Sequence, residues 1–233
     1  MVKEDIRKVP VHLGFILDGN RRWAKSKGLP QLEGHRRGFN RLTELVDNCI
    51  KKGVKNVTVF AFSTENWNRS KEEVDYLMNL FREMLDKTAQ KLHEKDVRVR
   101  VVGRIEDFAS DIQKKMQEVM EKTKNNSTLT FNIGLSYGGR AEIVDATKRI
   151  IKDGLRPEDI TEEKFAEYIY EVGQPDPDVI VRTSGEQRIS GFMLWQAAYS
   201  EFYFTDVCWP DFDEKELDRV IDDFNQRERR FGK

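Results

Sequence analysis

The sequence predicts an α/β fold: a single domain with a mostly parallel central sheet of about six strands flanked by helices. Short apolar segments alternate with longer amphipathic ones along the chain, an order typical of parallel strands joined by helices. The first apolar segment, residues 11–17, has the pattern of a strand buried on both faces. The chain has 233 residues, which fits one large domain, and we predict that residues 1–233 form it.

Each strand and helix is predicted from its own pattern. The strands are short apolar segments, and in chain order they cover residues 11–17, 54–62, 97–102, 128–135, 178–182 and 201–204. The helices follow the strands as charged amphipathic segments over residues 21–27, 36–52, 71–94, 106–124, about 141–152, 161–172, and from 212 onward. Gly53 closes the second helix, and Thr161 is a predicted N-cap.

The long helix over residues 71–94 carries an apolar stripe at three- and four-residue steps. Its members are Val74, Leu77, Met78, Phe81, Met84 and Leu85. A stripe of this kind is most often ordinary core. The alternative is that the stripe forms the wall of a tunnel for a lipid.

Composition limits the classes of function. Lys and Arg number 40 and Asp and Glu number 41, so the net charge of -1 argues against a nucleic-acid partner. No apolar run approaches the ~20 residues that span a bilayer, and the first residues lack the apolar core of a signal peptide. Cys49 and Cys208 lie far apart without metal-ligand spacing, as expected of buried thiols in a reducing compartment. We therefore expect a cytoplasmic protein, with peripheral membrane contact left open.

The first strand ends in a group of residues suited to an anion. Asp18, Gly19 and Asn20 form a turn, and Arg21 and Arg22 open a basic helical segment. Backbone amides and guanidinium groups at such a point suit phosphate oxygens. A carboxylate would repel the phosphate unless a divalent cation lay between them, so this pairing suggests Mg²⁺ and a diphosphate. The alternative is a turn followed by a solvated helix.

Two more polar clusters follow predicted strands. One contains Ser63, Glu65, Asn66, Trp67 and Arg69; the other contains Arg182, Arg188 and Ser190. Ligands of open parallel sheets bind outside the carboxyl ends of the strands, so the three clusters should converge on one crevice.

Structural alternatives remain open for several of these residues. Trp67 could cap the sheet, and His35 could be a satisfied structural histidine. Arg182 could pair with Asp178 or Glu186, and Glu201 beside an aromatic strand is costly to bury unless it is paired or metal-bound.

The motifs together resemble the cis-prenyltransferase family, which includes undecaprenyl diphosphate synthase. The matching stretches are His12-x-Gly-Phe-Ile-x-Asp18-Gly19-Asn20-x-Arg22-Trp23-Ala24, Phe62-Ser63-x-Glu65-Asn66-Trp67-Asn68-Arg69, Asn132-Ile133, Tyr137-Gly-Gly-Arg140, Arg182-Thr-x-Gly-Glu186-x-Arg188-Ile189-Ser190-x-Phe192-x-Leu194-Trp195-Gln196, Glu201-Phe-Tyr-Phe-Thr205, Trp209-Pro210-Asp211-Phe212 and Arg227-Glu-Arg229-Arg230-Phe231-Gly232. The resemblance covers nearly the whole chain.

The resemblance implies a set of site residues and a magnesium cofactor. Asp18 and Asn66 are the implied catalytic residues, and Asp18 and Glu201 would serve Mg²⁺. Asn66 is a loose assignment because a neutral amide is a poor base; it could orient a diphosphate or water that accepts the proton. The implied substrate-binding residues are Gly19, Asn20, Arg21, Arg22, Trp23, Gln31, His35, Ser63, Thr64, Glu65, Trp67, Arg69, Arg182, Arg188, Ile189, Ser190, Arg230 and Gly232.

The resemblance also implies the reaction and the partners. Isopentenyl diphosphate would be condensed onto an allylic diphosphate, usually farnesyl diphosphate, giving a long Z-polyprenyl diphosphate such as undecaprenyl diphosphate, a lipid carrier precursor for cell-wall glycans. The C-terminal Arg230-Phe231-Gly232 would reach a partner's active site, which implies a homodimer. The alternatives are a product of another length and a non-catalytic partner subunit. An all-helical trans-prenyltransferase is disfavoured, because Asp222-Asp223 lacks the third Asp of its metal motif.

A few residues depart from the family pattern. Gln31 stands where some members have Arg, and Gln187 stands where some have His near the metal. Ser184 replaces a Gly, and Gly191 stands where Asn is common. None of these changes removes a central charge, so we expect the reaction class to hold. Details of diphosphate binding are not expected to carry over from the family.

Overall fold

A six-stranded parallel sheet lies at the centre of the chain in a computed structural model, which describes residues 8–227. The strands are β1 His12–Ile16, β2 Asn56–Ser63, β3 Val97–Val102, β4 Leu129–Tyr137, β5 Val179–Arg182 and β6 Glu201–Phe204. Their order across the sheet is β3-β4-β2-β1-β5-β6, and every neighbouring pair is parallel. The predicted fold class is confirmed.

Helices connect the strands and cover the sheet. They are α1 Asn20–Ser26, α2 Gln31–Lys52, α3 Lys71–Glu94, α4 Ser110–Thr123, α5 Gly139–Lys152, α6 Glu162–Ala166 and α7 Glu214–Gln226. A short 3-10 turn, Thr64–Asn68, joins β2 to α3. None of the helices in residues 8–227 is both long and apolar enough to cross a membrane.

The strand register brings the predicted polar clusters to one edge of the sheet. Ile16 near the end of β1 pairs with Phe60 of β2 on one side and with Arg182 of β5 on the other. The residues that follow these positions therefore emerge side by side. Asp18 lies next to the end of β5, and Ser63 ends the neighbouring strand.

β1 is buried on both faces, as its apolar pattern predicts. Leu13 and Phe15 are at most 1% exposed and belong to the larger of two apolar clusters. Ile16 belongs to the smaller cluster on the opposite face, together with Phe192. A Cβ added to Gly14 would lie 3.1 Å from the Phe192 ring, so a small residue is needed there.

Three helices differ from their predicted limits by four residues or more. α4 begins at Ser110 rather than at residue 106, after a separate 3-10 turn over Ile105–Asp107. α2 begins at Gln31 rather than at residue 36, because Pro30 has the backbone angle that suits a residue just before a helix. The helix predicted over 161–172 ends at Ala166. Beyond it, the Tyr170 amide donates to the Glu142 carboxylate, and the Glu171 side chain turns into the interior. These inward contacts compete with continuation of the helix.

A buried polar network closes the amino-terminal end of the sheet. His12 Nδ1 lies 2.6 Å from the Pro175 carbonyl oxygen, and His12 Nε2 lies 2.8 Å from Thr58 Oγ1. Thr58 Oγ1 also lies 2.9 Å from Glu171 Oε1 and accepts from Asn132 Nδ2 at 3.1 Å. A carbonyl can only accept, so a neutral His12 carries its proton on Nδ1 and Nε2 needs a donor.

That donor can only be the Thr58 hydroxyl, which has a single hydrogen. Glu171 must then be the protonated partner and donate to Thr58. The electrostatics agree with this assignment: burial raises the pKa of Glu171 to about 8 and lowers the pKa of His12 to about 4. Both groups are therefore neutral near pH 7, and His12 is a structural residue at the end of the sheet opposite Asp18.

Candidate active site

A polar crevice lies at the carboxyl ends of β1, β2 and β5. It consists of two adjoining cavities of about 220 and 480 Å³ that share Leu17, Asp18, Asn20, His35 and Arg69 as walls. Twelve of the predicted site residues line it: Asp18, Gly19, Asn20, Arg21, Arg22, His35, Ser63, Asn66, Arg69, Arg182, Arg188 and Ser190. The predicted convergence of the three polar clusters is thus observed.

Two hydrogen bonds and one ion pair hold the Asp18 carboxylate on the wall of the crevice. Its Oδ2 accepts from Arg182 Nη2 at 2.8 Å, its Oδ1 accepts from the Gly19 amide at 2.7 Å, and Arg22 Nη2 lies 3.5 Å away. Burial alone would raise the pKa of the Asp18 carboxyl, but the contacts with Arg182, Gly19 and Arg22 together outweigh burial and lower it. Asp18 is therefore ionised at neutral pH.

Gly19 is required at its position for two reasons. Its φ of 100° lies in the left-handed region, and an added Cβ would come within 2.8 Å of the Ser184 Cβ. The chain can leave β1 and enter α1 this closely to the loop after β5 only with glycine.

Arg182 organises the loop that follows β5. Its side chain is 5% exposed, and its Nη1 donates to Ser190 Oγ at 2.8 Å and to the Arg188 carbonyl oxygen. Its ion-pair partner is Asp18, not the sequence alternatives Asp178 or Glu186. Arg182 therefore joins two of the predicted clusters directly.

Glu186 pairs with two further guanidinium groups of the crevice, those of Arg22 and Arg188. Arg22 Nη1 lies 3.3 Å from Glu186 Oε1, and Arg188 Nη1 donates to Glu186 Oε2. Arg22 also donates to the backbone oxygen of Ser184 at 3.0 Å and to its hydroxyl. Ser184 has a φ of 72°, which favours glycine, so the family's Gly at this position has a physical basis and the serine gains a contact with Arg22.

Asn66 is held in a fixed orientation by a capping box. Its Oδ1 accepts from the Ser63 amide at 3.0 Å, and the Ser63 side chain accepts from the Asn66 amide. Since a backbone N–H can only donate, the Asn66 oxygen faces Ser63 and its NH₂ group is left for other partners. Asn66 lines the crevice as a donor.

Trp67 lies beneath this turn rather than in the crevice. Its ring packs against Phe62 and Phe108 at centroid distances of 4.9 and 5.2 Å. Its Nε1 donates to Ser136 Oγ at 2.9 Å, and Ser136 donates to Asp107. Trp67 therefore fixes the turn that carries Asn66, which agrees with the alternative that it caps the sheet.

A second carboxylate joins three cationic or polar wall residues. Glu73 Oε1 accepts from Arg69 Nη1 at 2.8 Å and lies 3.1 Å from His35 Nε2, and Glu73 Oε2 lies 3.6 Å from Arg21 Nη1. Burial lowers the pKa of His35, and the hydrogen bond with Glu73 only partly offsets this effect. His35 is therefore neutral at pH 7 and carries a proton on Nε2.

Several predicted substrate-binding residues lie elsewhere in residues 8–227. Trp23 faces the opposite side of α1, beside Cys208 and Asp211. Ile189 packs into the smaller apolar cluster. The other predicted residues outside the crevice are Gln31, Thr64, Glu65 and Trp67, and Gln187, a departure from the family pattern, is exposed. The predicted Arg230 and Gly232 lie outside the described residues.

Glu201 does not lie beside Asp18 within one chain, and the predicted metal pair stays a prediction. Glu201 is the first residue of β6 and pairs with Val179, which in turn pairs with Leu13 near the start of β1. Asp18 follows the opposite end of β1. The Glu201 carboxylate instead accepts from Arg227 Nη1 at 2.8 Å.

The residues that remain fit a magnesium ion through Asp18 alone. Mg²⁺ is commonly bound by one or two carboxylates together with substrate phosphates and water, rather than by an all-protein cage. Residues 8–227 contain no cluster of three or more His, Cys, Asp and Glu side chains that could form such a cage. An ionised carboxylate on the crevice wall meets the requirement for a shared site.

An apolar cavity lies further along two of the helices that contribute to the crevice. It lies between α2, α3 and the sheet and has a volume of about 20 Å³. Its walls include Phe39, one turn beyond His35 on α2, and Met84 and Leu85, two turns beyond Leu77 on α3. The stripe on α3 therefore belongs to the core and also forms the wall of a cavity.

Two carboxylates of the site were not predicted as contact residues. Glu186 was noted only as a partner for Arg182, and Glu73 has the sequence pattern of a solvated residue in the first turn of a helix. The signal that could have found both is charge, because several arginines gathered in one crevice favour carboxylates beside them.

An open parallel sheet with a cationic crevice at the strand ends is typical of α/β enzymes that act on phosphorylated ligands. Residues 16–232 match the family described as "Putative undecaprenyl diphosphate synthase". The isoprenyl transferases of Fusobacterium nucleatum and Thermotoga maritima are 51% and 49% identical to this chain, each over 97% of both chains.

Solved structures show the same similarity. A lavandulyl diphosphate synthase from Lavandula x intermedia, in complex with dimethylallyl diphosphate, superposes with a TM-score of 0.92 at 34% identity, over 96% of this chain and 98% of that one. A probable undecaprenyl diphosphate synthase from Campylobacter jejuni superposes with a TM-score of 0.82 at 33% identity, over 97% of this chain and 100% of that one. The chain belongs to the undecaprenyl diphosphate synthase family and is a prenyltransferase.

Proposed function

We propose that this chain is a cis-prenyltransferase that condenses isopentenyl diphosphate onto an allylic diphosphate, farnesyl diphosphate being the preferred primer. The product is a long Z-polyprenyl diphosphate such as undecaprenyl diphosphate. The observation that carries the proposal is that residues of α2 and α3 line both the cationic crevice and an apolar cavity further along these helices. The cations suit the diphosphates, and the apolar walls suit a growing hydrocarbon chain.

The two diphosphates occupy different parts of the crevice. The allylic diphosphate binds between α1 and α3, where Arg21, His35 and Arg69 line the wall. Isopentenyl diphosphate binds on the loop after β5, at Arg188 and Ser190. Arg188 is 62% exposed, so it can turn from Glu186 toward a ligand at little cost.

The reaction exchanges one carbon–oxygen bond for one carbon–carbon bond. The bond from C1 of the allylic group to its diphosphate breaks, and the diphosphate leaves with the electron pair. C1 bonds to C4 of isopentenyl diphosphate, and a proton leaves C2. Magnesium bound at Asp18 would offset the charge of the departing diphosphate. Asn66 offers N–H donors, so it orients a diphosphate oxygen that accepts the proton and is not itself the base.

Product length depends on how far the apolar cavity can open. Its present volume of about 20 Å³ holds roughly one water molecule. A growing chain therefore requires α2 and α3 to separate, and the bulk of residues such as Phe39 and Leu92 would then limit its length. A shorter product is the second candidate, because the chain is also 34% identical to a lavandulyl diphosphate synthase.

Product chromatography tests the proposal. The full chain is incubated with Mg²⁺, labelled isopentenyl diphosphate and either farnesyl or dimethylallyl diphosphate, and the products are separated by length after removal of the phosphates. Long polyprenols from farnesyl diphosphate support the proposal. A product of one or two added units, or a branched product from dimethylallyl diphosphate alone, supports the second candidate. No product under any condition would favour a non-catalytic partner subunit.

The proposal includes a homodimer in the cytoplasm, in peripheral contact with the membrane that receives the product. The sequence Arg230-Phe231-Gly232 would complete the partner's active site. A chain lacking residues 230–233 should be folded but nearly inactive, and mixing it with an Asp18→Asn chain should restore activity. An inactive mixture, once subunit exchange is verified by tagged pull-down, would exclude completion across the interface.

A further inference from the structure

Glu73 contacts three wall residues of the crevice from outside it. Its partners come from three separate elements: Arg21 from α1, His35 from α2 and Arg69 from the segment before α3. All three line the crevice, whereas Glu73 is not among the described residues that do. Its side chain is 12% exposed. A nearly buried carboxylate thus lies behind the groups that face the ligand.

The contacts differ in strength. Arg21 is 53% exposed and 3.6 Å from the carboxylate, so this pair is weakly coupled. Arg69 and His35 are more buried, and both contact the same oxygen, Oε1, at 2.8 and 3.1 Å. The effect of Glu73 is therefore concentrated on the orientation of Arg69 and on the proton of His35.

Glu73 also determines the state of His35. Its carboxylate can only accept, so the neutral ring keeps its proton on Nε2, and the negative charge raises the pKa of His35 against the effect of burial. Without that charge, Arg69 and Arg21 would lower the pKa of the imidazole further. Glu73 also lies in the first turn of α3, where its backbone amide donates to the Ser70 hydroxyl.

We propose that Glu73 is a positioning residue for the allylic diphosphate, holding Arg69 and His35 in place from outside the crevice. The inference rests on the proposed function, because it assigns these two residues to the allylic substrate. A carboxylate within the diphosphate site would act as a competitor, and its removal would tighten binding. A carboxylate behind the wall has the opposite effect. Its removal frees the Arg69 side chain and takes away the acceptor of the His35 Nε2 proton. Binding of the allylic diphosphate is therefore weakened.

The test compares Glu73→Gln with Glu72→Gln in the full chain. Glu72 precedes Glu73 in the same helical turn and is exposed, so its variant reproduces the lost charge at the helix start without the contacts. We expect Glu73→Gln to raise the KM for farnesyl diphosphate at least fivefold and leave the KM for isopentenyl diphosphate within twofold. Glu72→Gln should change neither KM by more than twofold.

Two measurements without turnover complete the test. Calorimetry with inorganic diphosphate and Mg²⁺ should show at least fivefold weaker binding to Glu73→Gln, and NMR should show a lower pKa for His35. Glu73→Asp, which keeps the charge, should recover part of the affinity, and it serves as the test variant if Glu73→Gln does not fold.

Three results would overturn the role of Glu73: tighter binding in Glu73→Gln, an equal rise of both KM values, or an unchanged pKa of His35. A wild-type chain without prenyl transfer would instead refute the proposed function. The two failures are therefore distinguishable.

Discussion

Replacing Glu171 by glutamine should make the stability of the protein less dependent on pH. Glu171 is buried, and because the Thr58 hydrogen goes to His12 Nε2, a protonated Glu171 donates the hydrogen bond to Thr58 Oγ1. A glutamine amide can donate to Thr58 Oγ1 in the same way. The variant therefore keeps the hydrogen bond to Thr58 and removes only the titratable carboxyl group. The difference between the two proteins isolates the contribution of that group to the pH dependence of stability.

The sign follows from proton counting. Glu171 titrates near pH 4.5 in the unfolded chain and at about 8 in the folded one, so the folded state holds the extra proton between these values. The free energy of unfolding therefore falls as pH rises through this window. At about 1.4 kcal/mol per pH unit, the wild type should lose roughly 5 kcal/mol relative to the variant.

His12 acts in the opposite direction over part of this range. Its folded pKa of about 4 lies below the ordinary 6.5, so its contribution to stability is gained as pH rises from about 4 to 6.5 and is constant above. In the wild type the two effects nearly cancel up to pH 6.5. The net fall then appears between pH 6.5 and 8 and amounts to about 2 kcal/mol.

Urea unfolding of both proteins at pH 5, 6, 7 and 8 measures the difference. Glu167→Gln is a matched control, because Glu167 is exposed four residues earlier and should show no such dependence. A wild-type-minus-variant difference that stays constant with pH would refute the argument. It would mean that Glu171 is ionised in the folded protein and that His12 carries the compensating charge.

Two further predictions concern the crevice, and a third concerns the turn that carries Asn66. Asp18→Asn keeps an acceptor for Gly19 but loses the charge, so kcat should fall at least 100-fold, about 3 kcal/mol, in saturating Mg²⁺; near-normal turnover would exclude a role for that charge. Arg188→Ala should raise the KM for isopentenyl diphosphate by roughly 10- to 150-fold, from a lost charge-assisted contact of about 1.5–3 kcal/mol, and an equal rise for farnesyl diphosphate would count against a separate site. Ser136→Ala removes the acceptor of Trp67 and should cost about 1–3 kcal/mol in urea unfolding; an unchanged midpoint would show that water replaces the hydroxyl.

The sequence was sufficient to predict the sheet and the edge at which the polar clusters meet. Apolar strands followed at once by Asp18, Ser63 or Thr183 leave few alternatives, because parallel strands place such residues at one edge. Strand ends are local features of the sequence. For that reason twelve of the predicted residues were found together in one crevice.

The predicted residues that do not line the crevice share a different cause. Trp23 and Trp67 belong to the right segments, but their side chains point away from the crevice, and side-chain direction on a short helix or turn depends on packing partners distant in sequence. Glu201 begins a strand instead of ending one. The first residue of a parallel strand lies at the edge of the sheet opposite to Asp18. Glu73 was missed because its role comes from contacts with three other elements.

The charges of the crevice explain why a carboxylate stands in a site proposed for phosphates. Among described residues that line it or contact its walls, five arginines (Arg21, Arg22, Arg69, Arg182, Arg188) face three carboxylates (Asp18, Glu73, Glu186), a net charge of +2, and His35 is neutral. One phosphate group carries about −1.5 to −2 at neutral pH, and each diphosphate carries more. Two diphosphates would therefore exceed the available positive charge, and a divalent cation would make up the difference. Asp18 is suited to share that cation, because Arg182 keeps it ionised on the crevice wall.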